Sequence, residues 1–248
     1  MILEKKRWQF IPIREHWFDF TYHWSDLLCM AVYFRIPETD KKPFGMIEFT
    51  GRSVQVNLRQ DKTEIWKGFS KQTKNYIRQA EKKALPVRFD EDLAGFVSYF
   101  NKFALFKKIP SLSIQDFSEL HTNFLISKVF LEGEIVAMHL YLLHAPSGQV
   151  QLFRSASGRY FLPHLEKNDI GAANKFMHFK AMDYFKEQGF TNYDFGGYSQ
   201  PTDPDYKKFK GVNQFKKNFG GEEFFFRNIA SPAYYAIKKL TDLLASVR

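Results

Sequence analysis

The 248-residue chain has a single cysteine, Cys29, so an internal disulfide and a thiolate zinc cluster are both excluded. It also has no long apolar run. "LLCMAVYF" is far too short to span a bilayer, and "MILEKKRWQFIPIREHWFDF" is broken by charge too often for a secretory core. The expected location is therefore cytoplasmic. The seven histidines show neither HxxH nor HExxH spacing, and His139 and His144 fall on opposite faces of a strand pattern, so no metal site is expected. GxSxG and phosphate-loop motifs are absent, as are repeats and low-complexity tracts.

What the chain does have is apolar mass and positive charge. Hydrophobic residues make up 44% and aromatics 18%, enough for a substantial core. The formal net charge of +9 favours an anionic partner such as nucleic acid, a phosphorylated cofactor or a membrane surface.

Residues 1–60 read as strand pieces, "LLCMAVYFRI", "FGMIEFT" and "SVQVNL", with the polar loop "PETDKKP" between the first two. This is a partial β-rich portion preceding a main domain over 61–248. In "WKGFSKQTKNYIRQAEKKAL", Phe69, Thr73, Ile77, Ala80 and Ala84 recur at helical spacing. Lys67, Lys71, Lys74, Arg78 and Lys82 form a basic stripe on another face. Pro86 ends this helix, and "PVRF" reads as a strand. "EDLAGFVSYFNKFALFKK" is an amphipathic helix, and "SIQDFSELHTNF" a shorter one capped by Ser113.

Residues 125–155 change character. Turn signals at Glu132-Gly133-Glu134 and Ala145-Pro146-Ser147-Gly148 divide three β-rich runs, as in an antiparallel meander. A long helix over Asp169–Gln188 is closed by Gly189. Then come the strand "NYDFGG", a helix near Lys207–Phe219, the strand "EEFFFRNI" and a last helix from Ser231-Pro232. The order is mixed α/β and not doubly wound, because three strands follow one another in the middle.

Several residues in this frame invite chemistry. Asp194 stands where "NYDFGG" stops at Gly196-Gly197. A carboxylate there can take a proton from an amine, or simply bond the backbone of the glycine turn. The glycines allow close approach of a ligand or a positive φ, and Gly220 suits a helix end. Phe209, Val212, Phe215 and Phe219 mark an apolar stripe, with Lys216 about 40° from Val212 at its edge and Lys217 pointing away. Lys207, Lys208, Lys210 and Lys217 read as a solvated face. Arg154 shares a face with Val150 and Leu152, where it can bind a phosphate or carboxylate or hold an ion pair. Tyr198, just past the glycines, is a hydrogen-bond donor or acid.

The element order from Pro86, with "YDFGG" and "KGVNQFKKNFGGE", resembles the GNAT acyltransferases, and among them the Fem-type proteins: the FemABX peptidoglycan aminoacyltransferases and their acyltransferase relatives. "FSKQTKNYIRQAEKKAL" is similar to that group's R-x-x-I-R-x-A-x-K-x-G helix, with Gln72-Thr73-Lys74 replacing its basic entry and Ala84 its glycine. The resemblance covers about residues 55–226. The chain is too short for the two complete GNAT-like domains of Fem-type enzymes. It lacks the long helical arm that some of them use and the usual acetyl-CoA loop of ordinary GNAT enzymes.

The resemblance implies a mixed-sheet GNAT-like fold and transfer of an activated acyl or aminoacyl group to an amine acceptor, such as a cell-wall precursor. The donor is aminoacyl-tRNA or acyl-CoA, bound as a cosubstrate. It implies a donor cleft between two splayed strands, lined by Arg154, Gly196 and Gly197. Lys216, which matches the family's F-K-x-x-F lysine, lies near the reacting group, with Asp194 and Tyr198 as its catalytic companions. Lys71, Lys74 and Arg78 would neutralise phosphates. Two other readings stand beside this one: acyl-CoA-dependent modification of a sugar or small amine, and a basic RNA- or anion-binding module without chemistry.

Overall fold

The structure is a computed structural model describing residues 2–7, 11–18, 21–36, 40–117, 123–203 and 206–246. Its strands are β1 (Ile2–Arg7), β2 (Ile11–Trp17), β3 (Met30–Ile36), β4 (Ile47–Asn57), β5 (Val87–Asp90), β6 (Phe124–Leu131), β7 (Glu134–His144), β8 (Gln149–Ser157), β9 (Asn192–Gly197) and β10 (Glu222–Ala230). Its helices are α1 (Lys62–Gly68), α2 (Lys71–Lys82), α3 (Leu93–Lys107), α4 (Lys167–Glu187), α5 (Tyr206–Lys217) and α6 (Pro232–Ser246).

All ten strands join one sheet in the order β1-β2-β3-β10-β4-β9-β8-β7-β6-β5. The expected meander is present as β6, β7 and β8, paired antiparallel. α4 then carries the chain over to β9, which runs parallel to β8. A crossover helix is what a parallel connection requires. The strands of residues 1–60 belong to the same sheet, because β10 lies between β3 and β4 and β4 pairs with β9.

Two apolar layers cover the sheet. α4 packs one face with Phe176, Met182 and Phe185 against Val150, Tyr193 and Phe195. α3 packs the other with Phe96 and Phe100 against Leu140 and Phe153. The sheet also curls, in keeping with the right-handed twist of its strands. Trp17 of β2 meets Phe153 of β8 edge-on at 5.4 Å between ring centres, although four strands lie between them in the sheet order.

Several local expectations need correction. "FGMIEFT" and "SVQVNL" are one strand, β4. β1 and β2 were not anticipated, since charges interrupt "ILEKKR" and "IPIREHW". The basic helix is two helices. Phe69 is extended, and Ser70 caps α2 by accepting a hydrogen bond from the Thr73 N–H at 3.2 Å. Lys67 therefore lies on α1, apart from the rest of its stripe. α2 ends before Ala84, which has φ +47°, a left-handed position that a glycine takes without strain. "SIQDFSELHTNF" contains one short turn, Ile114–Phe117, and residues 118–122 lie outside the described ones.

Candidate functional site

β8 and β9 are in register at only three positions: Gln149 with Asn192, Val150 with Tyr193 and Gln151 with Asp194. Beyond these, the strands separate. The register of β8 against β7 also shifts there, from Leu140 opposite Arg154 to Tyr141 opposite Leu152. Phe153 is thus the extra residue of a β-bulge, which bends its strand and interrupts pairing. On the other side, Gly196 takes φ +75°. A Cβ there would lie 3.1 Å from the Leu152 carbonyl oxygen, so a side chain at this position meets both backbone strain and a close neighbour.

The separated ends form the walls of an open cleft of about 1210 Å³. Leu152, Phe153, Arg154 and Ser155 line it from β8, and Phe195, Gly196 and Gly197 from β9. Lys216 enters from α5. Sequence reasoning missed the opposite wall, which comes from β2 (Glu15 and Trp17), from α3 (Phe100 and Phe103) and from the segment holding Asp116.

Lys216 is only 7% exposed. Its Nζ donates to the Gly196 carbonyl at 3.0 Å and to the Gly197 carbonyl. These two bonds tie α5 to the end of β9. Burial pulls its ammonium down to about 8 from an ordinary 10.5, and the charge of Asp194 works against that shift. The anticipated apolar stripe of α5 is rotated. Asn213, Lys216 and Phe219 are buried, while Phe209 and Val212 are exposed on the cleft's rim. Lys216 is therefore central on the inner face. Lys217 points outward to Glu223 at 2.6 Å, which raises its pKa.

Asp194 does not face the cleft, contrary to expectation. It is 0% exposed, and its carboxylate is surrounded by donors. Gln55 Nε2 donates at 2.8 Å, Ser53 Oγ at 3.0 Å and the Gly196 N–H at 2.6 Å. Arg35 completes the cage through a buried ion pair. Asp194 thus bonds the glycine turn, one of the two roles its position allowed. Arg35 also donates from Nε to Gln151 Oε1 at 2.6 Å and lies over the Phe226 ring at 4.3 Å. It occupies a bulge of β3 with φ +63°. The one signal in the sequence was a lone charge inside the apolar run "AVYFRI", since a buried charge needs a partner.

Arg154 lines the cleft, but from the other face of β8. The bulge breaks simple alternation and turns Arg154 to the side of Phe153, whose ring lies 4.1 Å from its guanidinium carbon. Burial pushes its pKa down, while the carboxylates of Glu15 and Asp116 oppose the shift. Tyr198 lies outside the cleft, 5.1 Å from Lys217 Nζ at its ring centre. Lys71, Lys74 and Arg78 also lie away from it on α2. Lys71 and Arg78 are exposed, and Arg78 sits over Trp66. Lys74 is half-buried and donates to the Lys67 carbonyl at 2.9 Å.

The two buried histidines behind the sheet form a separate polar network. His139 bonds Tyr141 and Asn174, each at 2.9 Å, and His178 bonds Tyr193 at 2.7 Å. Burial pushes His139 down to about 3, so it stays neutral. Among the described residues, no cluster of His, Cys, Asp or Glu could hold a metal ion. No helix among them is long and apolar enough to cross a membrane.

No protein-family profile matches the chain, and no curated protein matches it. Solved structures do show the same fold. FemX aligns over 97% of this chain and 86% of its own length, with a TM-score of 0.63 and 15% identity. L-PGS from Bacillus licheniformis aligns over 89% and 74%, with a TM-score of 0.58 and 14% identity. The chain thus has the fold of FemX and L-PGS, in keeping with the Fem-type resemblance of the sequence.

Proposed function

We propose that the chain is an acyl- or aminoacyltransferase whose donor enters the cleft between β8 and β9. The observation that carries this reading is the end of β8–β9 pairing after Gln151 and Asp194, with Lys216 buried in the gap. Past that point the β8 edge has no ladder partner on β9 among the described residues. We assign to this stretch of β8 backbone the hydrogen bond to an oxygen that becomes negative during reaction. Arg154 and Lys216 place two cations on the cleft wall that can pair with an anionic donor, aminoacyl-tRNA or acyl-CoA.

In the reaction, the lone pair of an acceptor amine attacks the acyl carbonyl. The tetrahedral oxyanion accepts hydrogen bonds from β8, then collapses. The amide forms as the bond to the leaving group breaks, releasing the thiolate of CoA, or a ribose oxygen of tRNA that takes up, by way of the carboxylate, the proton the amine has lost. The amine's proton passes to a carboxylate. Glu15 and Asp116 line the cleft and suit that step, whereas Asp194 is already saturated by donors. No covalent enzyme intermediate is needed; positioning and oxyanion stabilisation supply the rate. The acceptor class includes cell-wall precursors, sugars and small amines.

Thermal melting against CoA, acyl-CoAs, charged tRNA and nucleotide sugars tests this reading. A ligand at 100 times its Kd stabilises the fold by about 2.7 kcal/mol. We expect one activated-acyl donor to raise the melting temperature of the wild type and to do so less for Arg154→Met. If no donor shifts the wild type, the transferase reading fails.

A further inference from the structure

The N-terminal strands carry a second feature, which shares no lining residue with the cleft. Trp24, Leu28 and Phe44 are 77%, 87% and 87% exposed. Trp24 and Phe44 line a shallow groove of about 250 Å³, together with Leu27, Lys41, Lys42 and Pro43. The residues lining it include two lysines and no carboxylate.

The exposed side chains stand on a fixed base. The turn Trp24–Leu27 is anchored by Asp26, which is fully buried. Its carboxylate accepts from Tyr33 Oη at 2.5 Å and Arg14 Nη1 at 3.2 Å, and pairs with His16 Nε2 at 3.0 Å. Leu27 and Met46 pack into one small core with Tyr33, Ile36 and Ile229. Both loops are thereby held in place with Trp24, Leu28 and Phe44 directed outward. Little ordering entropy remains to be lost when a partner engages them.

We propose that this tip docks on the surface of an anionic lipid bilayer, independently of the transferase reading. Tryptophan and phenylalanine settle at the headgroup boundary, and lysines beside them meet anionic headgroups. Lys41 and Lys42 are both exposed, and the chain carries a net charge of +9. The area argues against a protein partner. Large aromatic side chains bury about 150–250 Å² each, so two of them and one leucine offer on the order of 500 Å². A stable protein interface takes about 800 Å² from each partner.

Co-sedimentation with vesicles tests the proposal. Wild type should pellet with phosphatidylcholine vesicles containing roughly a third phosphatidylglycerol, and not with phosphatidylcholine alone. Binding should fall with added salt. Lys41→Glu with Lys42→Glu should weaken it by roughly fivefold or more per lysine. Trp24→Ser, Leu28→Ser and Phe44→Ser combined should weaken it at least tenfold with unchanged melting. Phe44→Ser alone replaces the triple variant if that protein does not fold, and should still weaken binding several-fold. Wild-type binding by a folded triple variant, or by Phe44→Ser in its place, would overturn the proposal. So would failure of the wild type to bind anionic vesicles, or a wild-type dimer that the triple variant abolishes.

Discussion

β8 and β9 differ sharply between their two ends. At the near end, Gln149–Gln151 pair with Asn192–Asp194, and the carboxylate of Asp194 is locked by Arg35, Ser53, Gln55 and Gly196. At the far end, past a bulge at Phe153 and a left-handed Gly196, the pairing stops and the cleft opens. The locked end explains how the open end survives. A gap in a sheet leaves backbone groups unpaired, so the strands need fixing elsewhere. The Arg35–Asp194 pair and the Lys216 bonds to Gly196 and Gly197 do that from either side.

The largest effect should come from breaking the lock. Arg35→Met leaves Asp194 as a buried charge without its cation, which costs about 3–5 kcal/mol. Urea unfolding should show the loss. Replacing both partners, Arg35→Met with Asp194→Asn, should recover part of it. A loss below about 1 kcal/mol in the single variant would mean that the pair does not hold the strands.

Replacing the glycine at the open end should cost less. Gly196→Ala forces an alanine into the left-handed region, at about 1–2 kcal/mol, and places its Cβ near the Leu152 carbonyl. Donor affinity should fall along with stability. Unchanged melting would show that the turn adapts freely.

The two neighbouring lysines sharpen the comparison by pH. Lys216 has its folded pKa lowered to about 8 from 10.5. Between those values the unfolded chain binds more protons than the folded one, so stability rises with pH across that window. Wild type should therefore gain stability relative to Lys216→Met as pH increases from about 8 to 10.5. A difference that stays flat across the window would contradict a buried, desolvated Lys216. Lys217→Met, at an exposed ion pair, should change stability by less than about 0.5 kcal/mol. Paired melts at neutral pH check this, and a larger loss would contradict it.

Much of the open end was legible in the sequence, and most of the lock was not. Turn spacing and a long helical period placed β6–β9 and α4, because both signals are local. Gly196-Gly197 marked the end of β9, and Lys216 was singled out beside an apolar stripe. The details failed where tertiary contacts decide. The bulge at Phe153 shifts Arg154 to the other face, which strict alternation cannot show. Arg35 reaches Asp194 from a bulge of β3 across β10 and β4, and no local pattern encodes that. Glu15 and Trp17 reach the cleft from a strand whose charges disguised it. The basic stripe of Lys71, Lys74 and Arg78 was real as a pattern but lies away from the cleft on α2.

The central claim is that the open end is where acyl transfer happens and that Lys216 serves it. Its most direct test is the single-turnover rate of transfer with the donor identified by melting shifts, in Lys216→Met and Lys217→Met side by side. Losing an electrostatic contact made mainly in the transition state costs about 2.7–4 kcal/mol, or roughly a hundredfold to a thousandfold in rate. We expect that loss in folded Lys216→Met and a rate within about twofold of wild type in Lys217→Met, the outcome for a surface charge that touches no reacting group. Wild-type turnover in folded Lys216→Met would contradict the account.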